Sequence, residues 1–244
     1  MPDLPPLIAA DAALFFDFDG TLADIAPRPD AVRVQPVVQR ALGVMQHRLC
    51  GALAVLSGRP VADIDRHLQP LHLPAAGQHG AERRDALGAW HRVPPPALAS
   101  VLPPLQALVQ VHPALVLEVK TAALALHWRG DPALAAACRA AMQTAQAALP
   151  GMALMEGKMV LELKPAAADK GRALQAFMAE PPFAGRTPWF FGDDVTDEAG
   201  FAAVQALGGV AVKVGDGDTV ARWRLPDPAA VRGWLETQAV EARA

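Results

Sequence analysis

Short apolar runs, each followed at once by small or acidic residues, constrain the fold of this 244-residue chain more than any other feature. They lie at 12–16, 52–56, 187–191 and 209–214. Continuous apolar segments of this length are typical of strands buried on both faces of a parallel sheet. The stretches between them, such as 36–49 and 170–179, have helical character. The alternation predicts a doubly wound α/β domain, with its ligands at the carboxyl ends of the strands.

The middle of the chain has a different pattern and predicts a separate insert. A proline run at 94–96 and a second break at Pro165 flank it. The elements predicted between these breaks are three strands and an alanine-rich helix, at 115–120, 122–128, 159–163 and 131–149. The sequence therefore predicts a catalytic core made of residues 1–96 and 165–244, with a small α+β domain at 97–164.

Composition excludes several classes of function. Hydrophobic residues make up 52% of the chain and charged residues 19%, which favours a packed core over disorder. The net charge of -3 leaves no basic surplus for nucleic acid. No Lys or Arg occurs in the first 27 residues, and charges or prolines cut every later apolar stretch, so neither a secretion signal nor a membrane span is expected. With two cysteines and no disulfide framework, we expect a cytoplasmic monomer that binds a small molecule.

The strongest chemical signal is the segment Asp17-Phe18-Asp19-Gly20-Thr21 after the first apolar run. Carboxylates at i and i+2 of an extended backbone project to the same side and could share a divalent cation. A carboxylate is also a nucleophile for a phosphoryl group, which divides one hard hydrolysis into two easier steps. An acidic strand-to-loop turn is the alternative, but this order of residues after a strand favours chemistry.

A second acidic segment, 192–198 (GDDVTDE), follows another predicted strand. An acid from this segment, together with Asp17 and Asp19, would make the all-oxygen site that magnesium takes. The segment is also typical of a helix N-terminus, where the helix dipole favours acidic side chains. Both interpretations stay open, because Asp197 and Glu198 could begin the next helix.

Two further segments suit a phosphate. Residues 57–59 (SGR) supply a hydroxyl and backbone N–H groups at a third strand end, although such turns are common. Lys170 begins the helix predicted after the insert, where its ammonium could neutralise a phosphate or remain solvated.

Together, these four segments resemble the haloacid dehalogenase superfamily, whose phosphatases carry the same groups in the same order. The resemblance implies that Asp17 is the nucleophile and Asp19 the general acid and base, and that Ser57 and Lys170 hold the transferring phosphoryl group. It also implies a Mg²⁺ cofactor. The implied metal-binding residues are Asp17, Asp19 through its backbone carbonyl, Asp193, and Asp194 or Asp197 in support.

The length of the insert and its motifs narrow the resemblance. Ser57 and Lys170 are 170 − 57 = 113 positions apart, too many for one crossover, and an insertion there in this superfamily is a C2-type cap that closes over the core. The segments GQHGAE, EVK, LALHWR and GKMVLELKP are similar to trehalose-6-phosphate phosphatases, at 77–82, 118–120, 124–129 and 157–165. The resemblance implies hydrolysis of trehalose 6-phosphate, the final step of trehalose biosynthesis, through a phospho-aspartate.

The resemblance also implies which residues bind the substrate. Sugar hydroxyls pair with groups that donate and accept, which suits Glu118, Lys120 and Glu162 in the insert. The core candidates for contacts with the phosphate or the rim of the site are Thr21, Gly58, Arg59 and His79. His127 and Arg129 are expected to be structural rather than in direct contact.

Two alternatives remain at this point. Another C2-capped phosphatase, acting on sucrose phosphate or hexose phosphates, would share every core residue and differ only in the insert. A non-catalytic phosphate-sensing module on the same fold is disfavoured, because none of the core residues is missing.

Overall fold

The computed structural model describes residues 5–26, 31–94, 96–157 and 159–241. The chain divides between His91 and Arg92, and again between Ala168 and Asp169, into two compact units. Unit 1 consists of the residues up to His91 and those from Asp169 onward, and unit 2 runs from Arg92 to Ala168. The insert predicted at 97–164 falls within unit 2, which begins five residues earlier and ends four residues later. Pro95, from the predicted proline break, and Lys158, from the GKMVLELKP motif, lie outside the described residues.

The strands in the described part of the chain are β1 Ala12–Phe16, β2 Leu53–Leu56, β3 Ala75–Gly77, β4 Glu82–Arg84, β5 Trp90–Arg92, β6 Val116–Val119, β7 Leu124–His127, β8 Met152–Gly157, β9 Val160–Pro165, β10 Thr187–Gly192, β11 Val210–Val214 and β12 Trp223–Leu225. The helices are α1 Pro36–Arg48, α2 Val61–Leu68, α3 Leu102–Val111, α4 Ala135–Ala147, α5 Lys170–Met178, α6 Glu198–Ala206 and α7 Pro228–Glu241. None of these helices combines the length and the apolar character that crossing a membrane needs.

The main sheet has the strand order β12-β11-β10-β1-β2-β3-β4-β5. Every pairing from β12 to β3 is parallel, and β4 pairs with β3 in the antiparallel direction. Strand β1 lies between β10 and β2, with Phe16 in register with Phe191 and Val55. The predicted α/β fold with a parallel-sheet core is confirmed, and the carboxyl ends of β1, β2 and β10 lie side by side.

Two adjacent aromatic residues of β1 show why helices cover both faces of this sheet. Successive side chains of a strand point to opposite faces. The Phe15 ring packs 5.9 Å from that of Phe177 in α5. The Phe16 ring stacks at 4.9 Å on Phe191, which lies 4.6 Å from Trp234 in α7. Because both faces of β1 are buried, its run of apolar residues is uninterrupted.

Unit 2 is built on an antiparallel sheet with the order β6-β7-β9-β8. Leucines that alternate along β7 and β9 pack with Cys138 and Met142 of α4 in a second apolar cluster. The opposite face carries Glu118, Ala125 and Glu162 in register across β6, β7 and β9. Strand β8 was not predicted from the sequence. This second, antiparallel sheet fits the predicted cap domain.

Candidate active site

The candidate site begins where three neighbouring parallel strands of unit 1 end. Asp17 follows β1, and its N–H donates to the carbonyl of Phe191 on β10 at 2.8 Å. Ser57 follows β2, and its N–H donates to the carbonyl of Ala76 on β3 at 2.8 Å. The sheet itself therefore brings together the segments that the sequence predicted at one edge.

Three carboxylates converge at this edge and are called the carboxylate cluster below: Asp17, Asp193 and Asp197. One oxygen from each lies within 4.8 Å of the others, and Asp17 and Asp197 are buried. Lys170, the first residue of α5, is buried between two of them. Its Nζ donates to Oδ1 of Asp17 at 2.6 Å and to Oδ1 of Asp197 at 2.7 Å. The predicted nucleophile and the predicted lysine are thus in direct contact.

The electrostatics of the cluster show an excess of negative charge. Burial raises the pKa of Asp17 well above its ordinary value, and the carboxylates of Asp197 and Asp193 reinforce this against the opposing Lys170 ammonium. Burial and then the Asp197 charge raise the pKa of Asp193 to about 6. Burial alone would lower the pKa of Lys170, but the carboxylates of Asp17 and Asp197 outweigh it and raise that pKa, so the ammonium stays charged.

Asp197, rather than Asp194, is the second acid of the GDDVTDE segment that reaches the cluster. Its Oδ2 accepts hydrogen bonds from the N–H groups of Asp193 and Asp194, both at 3.0 Å. Asp194 is exposed, and its Oδ1 accepts from the N–H of Val195 at 2.7 Å as part of a capping box. Asp194 or Asp197 was predicted to support the metal; in the structure the Asp194 side chain turns back onto the next helix as a cap, and Asp197 lies in the cluster.

Gly20 explains how Asp193 comes so close to the turn after β1. Gly20 has a φ of +80°, and a Cβ at this position would collide with the carboxylate of Asp193. Glycine satisfies both constraints. Within the described residues, Oδ1 of Asp193 is buried without a hydrogen-bond partner, while Lys213 Nζ donates to its backbone carbonyl.

The same cluster passes a test for a divalent cation. A buried carboxylate oxygen without a donor is costly unless a cation or proton compensates it. Asp17 and Asp193 offer the hard oxygen ligands that Mg²⁺ prefers. Burial, reinforced by neighbouring carboxylates, raises the pKa of both groups, and a nearby cation would oppose this by favouring their charged forms. The residues therefore fit the metal that the sequence implied.

Asp19 does not direct its carboxylate into this cluster. The chain turns directly after Asp17, with the N–H of Ala23 donating to the carbonyl of Phe18 at 2.9 Å. Arg59 holds the Asp19 carboxylate through two hydrogen bonds, from Nε at 2.6 Å and from Nη2 at 2.8 Å. The backbone therefore does not continue as an extended strand past Asp17, and the Asp19 carboxylate pairs with Arg59 rather than joining the three converging carboxylates. The Asp19 backbone carbonyl stays a proposed ligand.

The predicted phosphate-binding residues lie beside the cluster in unit 1. Ser57 is buried, and its Oγ accepts from the N–H of Arg59 at 3.1 Å. The His79 ring lies against Gly58, with Cε1 and Nε2 each 2.7 Å from where a Gly58 Cβ would be. Thr21 is fully buried, and its Oγ1 has no hydrogen-bond partner among the described residues, so its contact with a substrate stays a prediction.

Unit 2 carries its own group of charged side chains, called the paired face below: Glu118, Lys120, His127 and Glu162. Lys120 Nζ donates to Oε1 of Glu162 at 3.0 Å, and His127 Nε2 lies 3.3 Å from Oε2 of Glu118. The hydrogen bond from His127 lowers the pKa of Glu118. His127, expected to be structural, is thus the partner of a predicted sugar-binding acid.

Comparison with known proteins identifies the family. Residues 15–229, most of the chain, match the family described as Trehalose-phosphatase. The chain belongs to the trehalose-phosphatase family. It is 46% identical over 233 residues to the trehalose-6-phosphate phosphatase of Escherichia coli K12, covering 95% of this chain and 88% of that protein. It is 40% identical over 232 residues to a probable trehalose-phosphate phosphatase of Sinorhizobium fredii, covering 93% of this chain and 88% of the relative.

Solved structures agree on the fold of this trehalose-phosphatase family member. The C-terminal domain of the Candida albicans trehalose-6-phosphate phosphatase matches with a TM-score of 0.78 at 22% identity, covering 94% of this chain and 92% of that chain. A haloalkanoate-superfamily phosphatase from Bacteroides thetaiotaomicron matches with a TM-score of 0.64 at 15% identity, covering 94% of each chain. The predicted resemblance to the trehalose-6-phosphate phosphatases is confirmed by the family match and the relatives, and the solved structures share the fold.

Two residues of the site were not predicted as such. Asp197 was predicted either to support the metal or to begin the next helix. Its spacing from Asp194 is that of a capping box, so nothing in the sequence indicated its contact with Lys170. Lys213 lies in the apolar strand β11 and carries no motif of its own. A charged residue inside an otherwise apolar strand was the available signal, because a buried lysine requires a partner.

Proposed function

We propose that this member of the trehalose-phosphatase family hydrolyses trehalose 6-phosphate to trehalose and inorganic phosphate, the final step of trehalose biosynthesis. The names and identities of its relatives support the substrate. The observation that carries the chemistry is the buried carboxylate of Asp17 at 2.6 Å from the Lys170 ammonium, at the end of the central strand. A phosphatase needs a positioned nucleophile and neutralisation of charge, and this contact supplies both.

In the first step, an Asp17 carboxylate oxygen attacks phosphorus, and the bond from phosphorus to the sugar oxygen breaks. The departing oxygen takes a proton from Asp19. Lys170 neutralises charge at Asp17, and the Ser57 hydroxyl, which accepts from the Arg59 N–H, directs its own proton to a phosphoryl oxygen. The product is trehalose and a phospho-aspartate.

In the second step, water attacks the phosphorus of the phospho-aspartate and gives a proton to Asp19, which releases phosphate and restores Asp17. Asp19 therefore alternates between acid and base. Arg59 donates to both carboxylate oxygens of Asp19, so exchange of a proton with the sugar oxygen or with water requires this pair to open. Arg59 thereby acts on the reaction through Asp19.

Mg²⁺ is the proposed cofactor, and Asp17, Asp193 and the Asp19 backbone carbonyl would hold it. When bound, it supplies positive charge that offsets the charge developing on the phosphoryl oxygens. Asp197 is proposed to position rather than to ligate, because its two oxygens already accept hydrogen bonds from Lys170 and from the N–H groups of Asp193 and Asp194.

Unit 2 is proposed to act as the specificity cap, with Glu118, Lys120 and Glu162 binding the sugar hydroxyls. The Lys120–Glu162 ion pair and the Glu118–His127 hydrogen bond present donors and acceptors on one sheet face, which suits a neutral polyol. We further propose that the enzyme works as a monomer in the cytoplasm, which light scattering of the purified protein tests for the oligomeric state.

A substrate panel tests the proposed function. Phosphate release is measured with Mg²⁺ from trehalose 6-phosphate, sucrose 6-phosphate, glucose 6-phosphate and p-nitrophenyl phosphate. We expect kcat/KM for trehalose 6-phosphate to exceed that of the other sugar phosphates by about 100-fold, since a site built on specific hydrogen bonds discriminates strongly. Equal turnover of a hexose phosphate would favour the alternative capped sugar phosphatase, and no turnover of any ester would favour a phosphate-sensing module.

A further inference from the structure

Two consecutive residues beside the phosphate-binding segment have an unusual backbone conformation. Gln78 has a φ of 49° and His79 a φ of 58°, both in the left-handed region that residues other than glycine rarely adopt. Both are buried. Strain of this kind persists where the surroundings enforce it, and it concentrates at functional sites.

The conformation aims two successive N–H groups at the segment that carries Ser57. The N–H of Gln78 donates to the carbonyl of Arg59, and the N–H of His79 donates to the carbonyl of Ser57, each at 2.9 Å. These two hydrogen bonds therefore fix both ends of the 57–59 segment. An extended backbone at 78–79 would point successive N–H groups in opposite directions and lose one of these bonds.

The side chain of His79 completes the contact. A Cβ on Gly58 would lie 2.7 Å from two atoms of the imidazole ring, and its three nearest atoms all belong to that ring. On the other side, a Cβ on Gly80 would lie 2.9 Å from the carbonyl oxygen of Asp169, the residue before Lys170. The loop at 77–80 thus packs between the segment that carries Ser57 and the start of the helix that carries Lys170.

We propose that His79 is a positioning residue that fixes the Ser57 hydroxyl relative to Lys170. It acts through its left-handed backbone and through its ring on Gly58, rather than by contact with the sugar. The inference rests on the proposed roles of Ser57 and Lys170 and extends them by naming what holds the two in place. Displacement of such groups by about 1 Å is enough to cost roughly 100-fold in rate.

A double-mutant cycle on Gly58→Ala and His79→Gly tests the ring contact. The readout is kcat for p-nitrophenyl phosphate with saturating Mg²⁺, which requires the phosphoryl site but no sugar contact. We expect each single variant to lose about 10-fold or more in kcat. The double variant should be no slower than His79→Gly, because removal of the ring makes room for the new methyl group. Independent, multiplicative losses, or a His79→Gly variant within twofold of wild type, would overturn the proposal.

Two controls match these changes. Cys50→Gly is the control for His79→Gly, because Cys50 is exposed and also has a left-handed backbone conformation. Gly233→Ala is the control for Gly58→Ala, because its new Cβ would meet nothing within 4 Å. Neither should change kcat. Thermal denaturation of all variants shows whether a loss of rate is a loss of fold.

A second pair of variants keeps the test valid if Gly58→Ala does not fold. His79→Asn and His79→Ala both remove the ring, but asparagine tolerates the left-handed conformation better. We expect His79→Asn to retain severalfold more kcat than His79→Ala on both p-nitrophenyl phosphate and trehalose 6-phosphate. Equal kcat of the two variants would overturn the role of the left-handed backbone, and a defect confined to KM for trehalose 6-phosphate would assign His79 to sugar contact instead. A wild-type enzyme that hydrolyses only p-nitrophenyl phosphate would refute the proposed substrate and leave this test intact.

Discussion

The carboxylate cluster of unit 1 and the paired face of unit 2 hold charged side chains in opposite ways. In the cluster, the Lys170 ammonium contacts two of the three converging carboxylates, and one buried oxygen of the third, Asp193, has no hydrogen-bond partner among the described residues. On the paired face, each acid has a basic partner. A site with unbalanced negative charge is suited to a cation and to attack on phosphorus, whereas a face whose acids already have hydrogen-bonding partners is suited to a neutral sugar. Each prediction below tests this contrast.

The largest effect is expected from the nucleophile. Asp17→Asn should lower kcat by about 1,000-fold or more, because the amide cannot form the phospho-aspartate. Phosphate release from trehalose 6-phosphate measures this, and Asp194→Asn, which changes an exposed acid of the neighbouring segment, is the matched control. A variant with near-normal, Mg²⁺-dependent turnover would rule out the mechanism.

Removal of the ammonium should make the imbalance of the cluster worse. Lys170→Met leaves the buried carboxylates of Asp17 and Asp197 without their shared partner, which we expect to lower the free energy of unfolding by about 3–5 kcal/mol. The rate should fall by about 100-fold through lost charge neutralisation. Urea denaturation and steady-state kinetics measure the two effects. Arg172→Met, at an exposed position of the same helix, is the control and should change neither quantity. If Lys170→Met had effects as small as those of Arg172→Met, the proposed excess of negative charge in the cluster would be contradicted.

The paired face should respond in substrate binding rather than in chemistry. Glu162→Gln removes the charge that Lys120 pairs with and should raise KM for trehalose 6-phosphate by about 10-fold to 100-fold. Turnover of p-nitrophenyl phosphate should stay within about twofold, because that ester has no sugar. Glu156→Gln, an exposed acid on the neighbouring strand β8, is the control. Equal losses on both substrates would move Glu162 into the chemical step.

The smallest effect concerns stability without metal. The pKa of Asp193 is raised to about 6, so between about pH 4 and pH 6 the folded protein binds more protons than the unfolded chain. The free energy of unfolding therefore falls as pH rises through this window. Asp193→Asn removes that loss and should raise Tm by about 2–6 °C at pH 7.5 in EDTA, with little change near pH 4.

Addition of Mg²⁺ at pH 7.5 should make the wild type more stable than Asp193→Asn. The wild type gains stability from the bound ion, and Asp193→Asn gains less. Thermal scans with EDTA and with Mg²⁺ give both numbers, with Asp194→Asn again as control. A variant that is less stable than wild type in EDTA would show that the cluster is not charge-unbalanced.

The strands that carry the site could be read from the sequence because they are buried on both faces. The apolar run at 12–16 is β1 to the residue, and the runs that became β2, β10 and β11 were predicted within one residue at each end. Strand β8 escaped prediction because the residues before Gly157 lack a regular alternation, and its place depends on pairing with β9. Local sequence patterns predict strands that are buried on both faces, whereas a strand such as β8 is determined by its pairing with a neighbouring strand.

By itself, the sequence determined which chemical groups stand at the strand ends, because a buried parallel strand must be apolar and its carboxyl end is where polar residues resume. The tertiary structure alone decided which of those groups face one another. Asp197, rather than Asp194, contacts Lys170, and Arg59 contacts the Asp19 carboxylate. The reason is that these partners are 27 and 40 residues apart, so their contacts depend on the direction that the backbone takes between them. Spacing along the chain does not specify that direction.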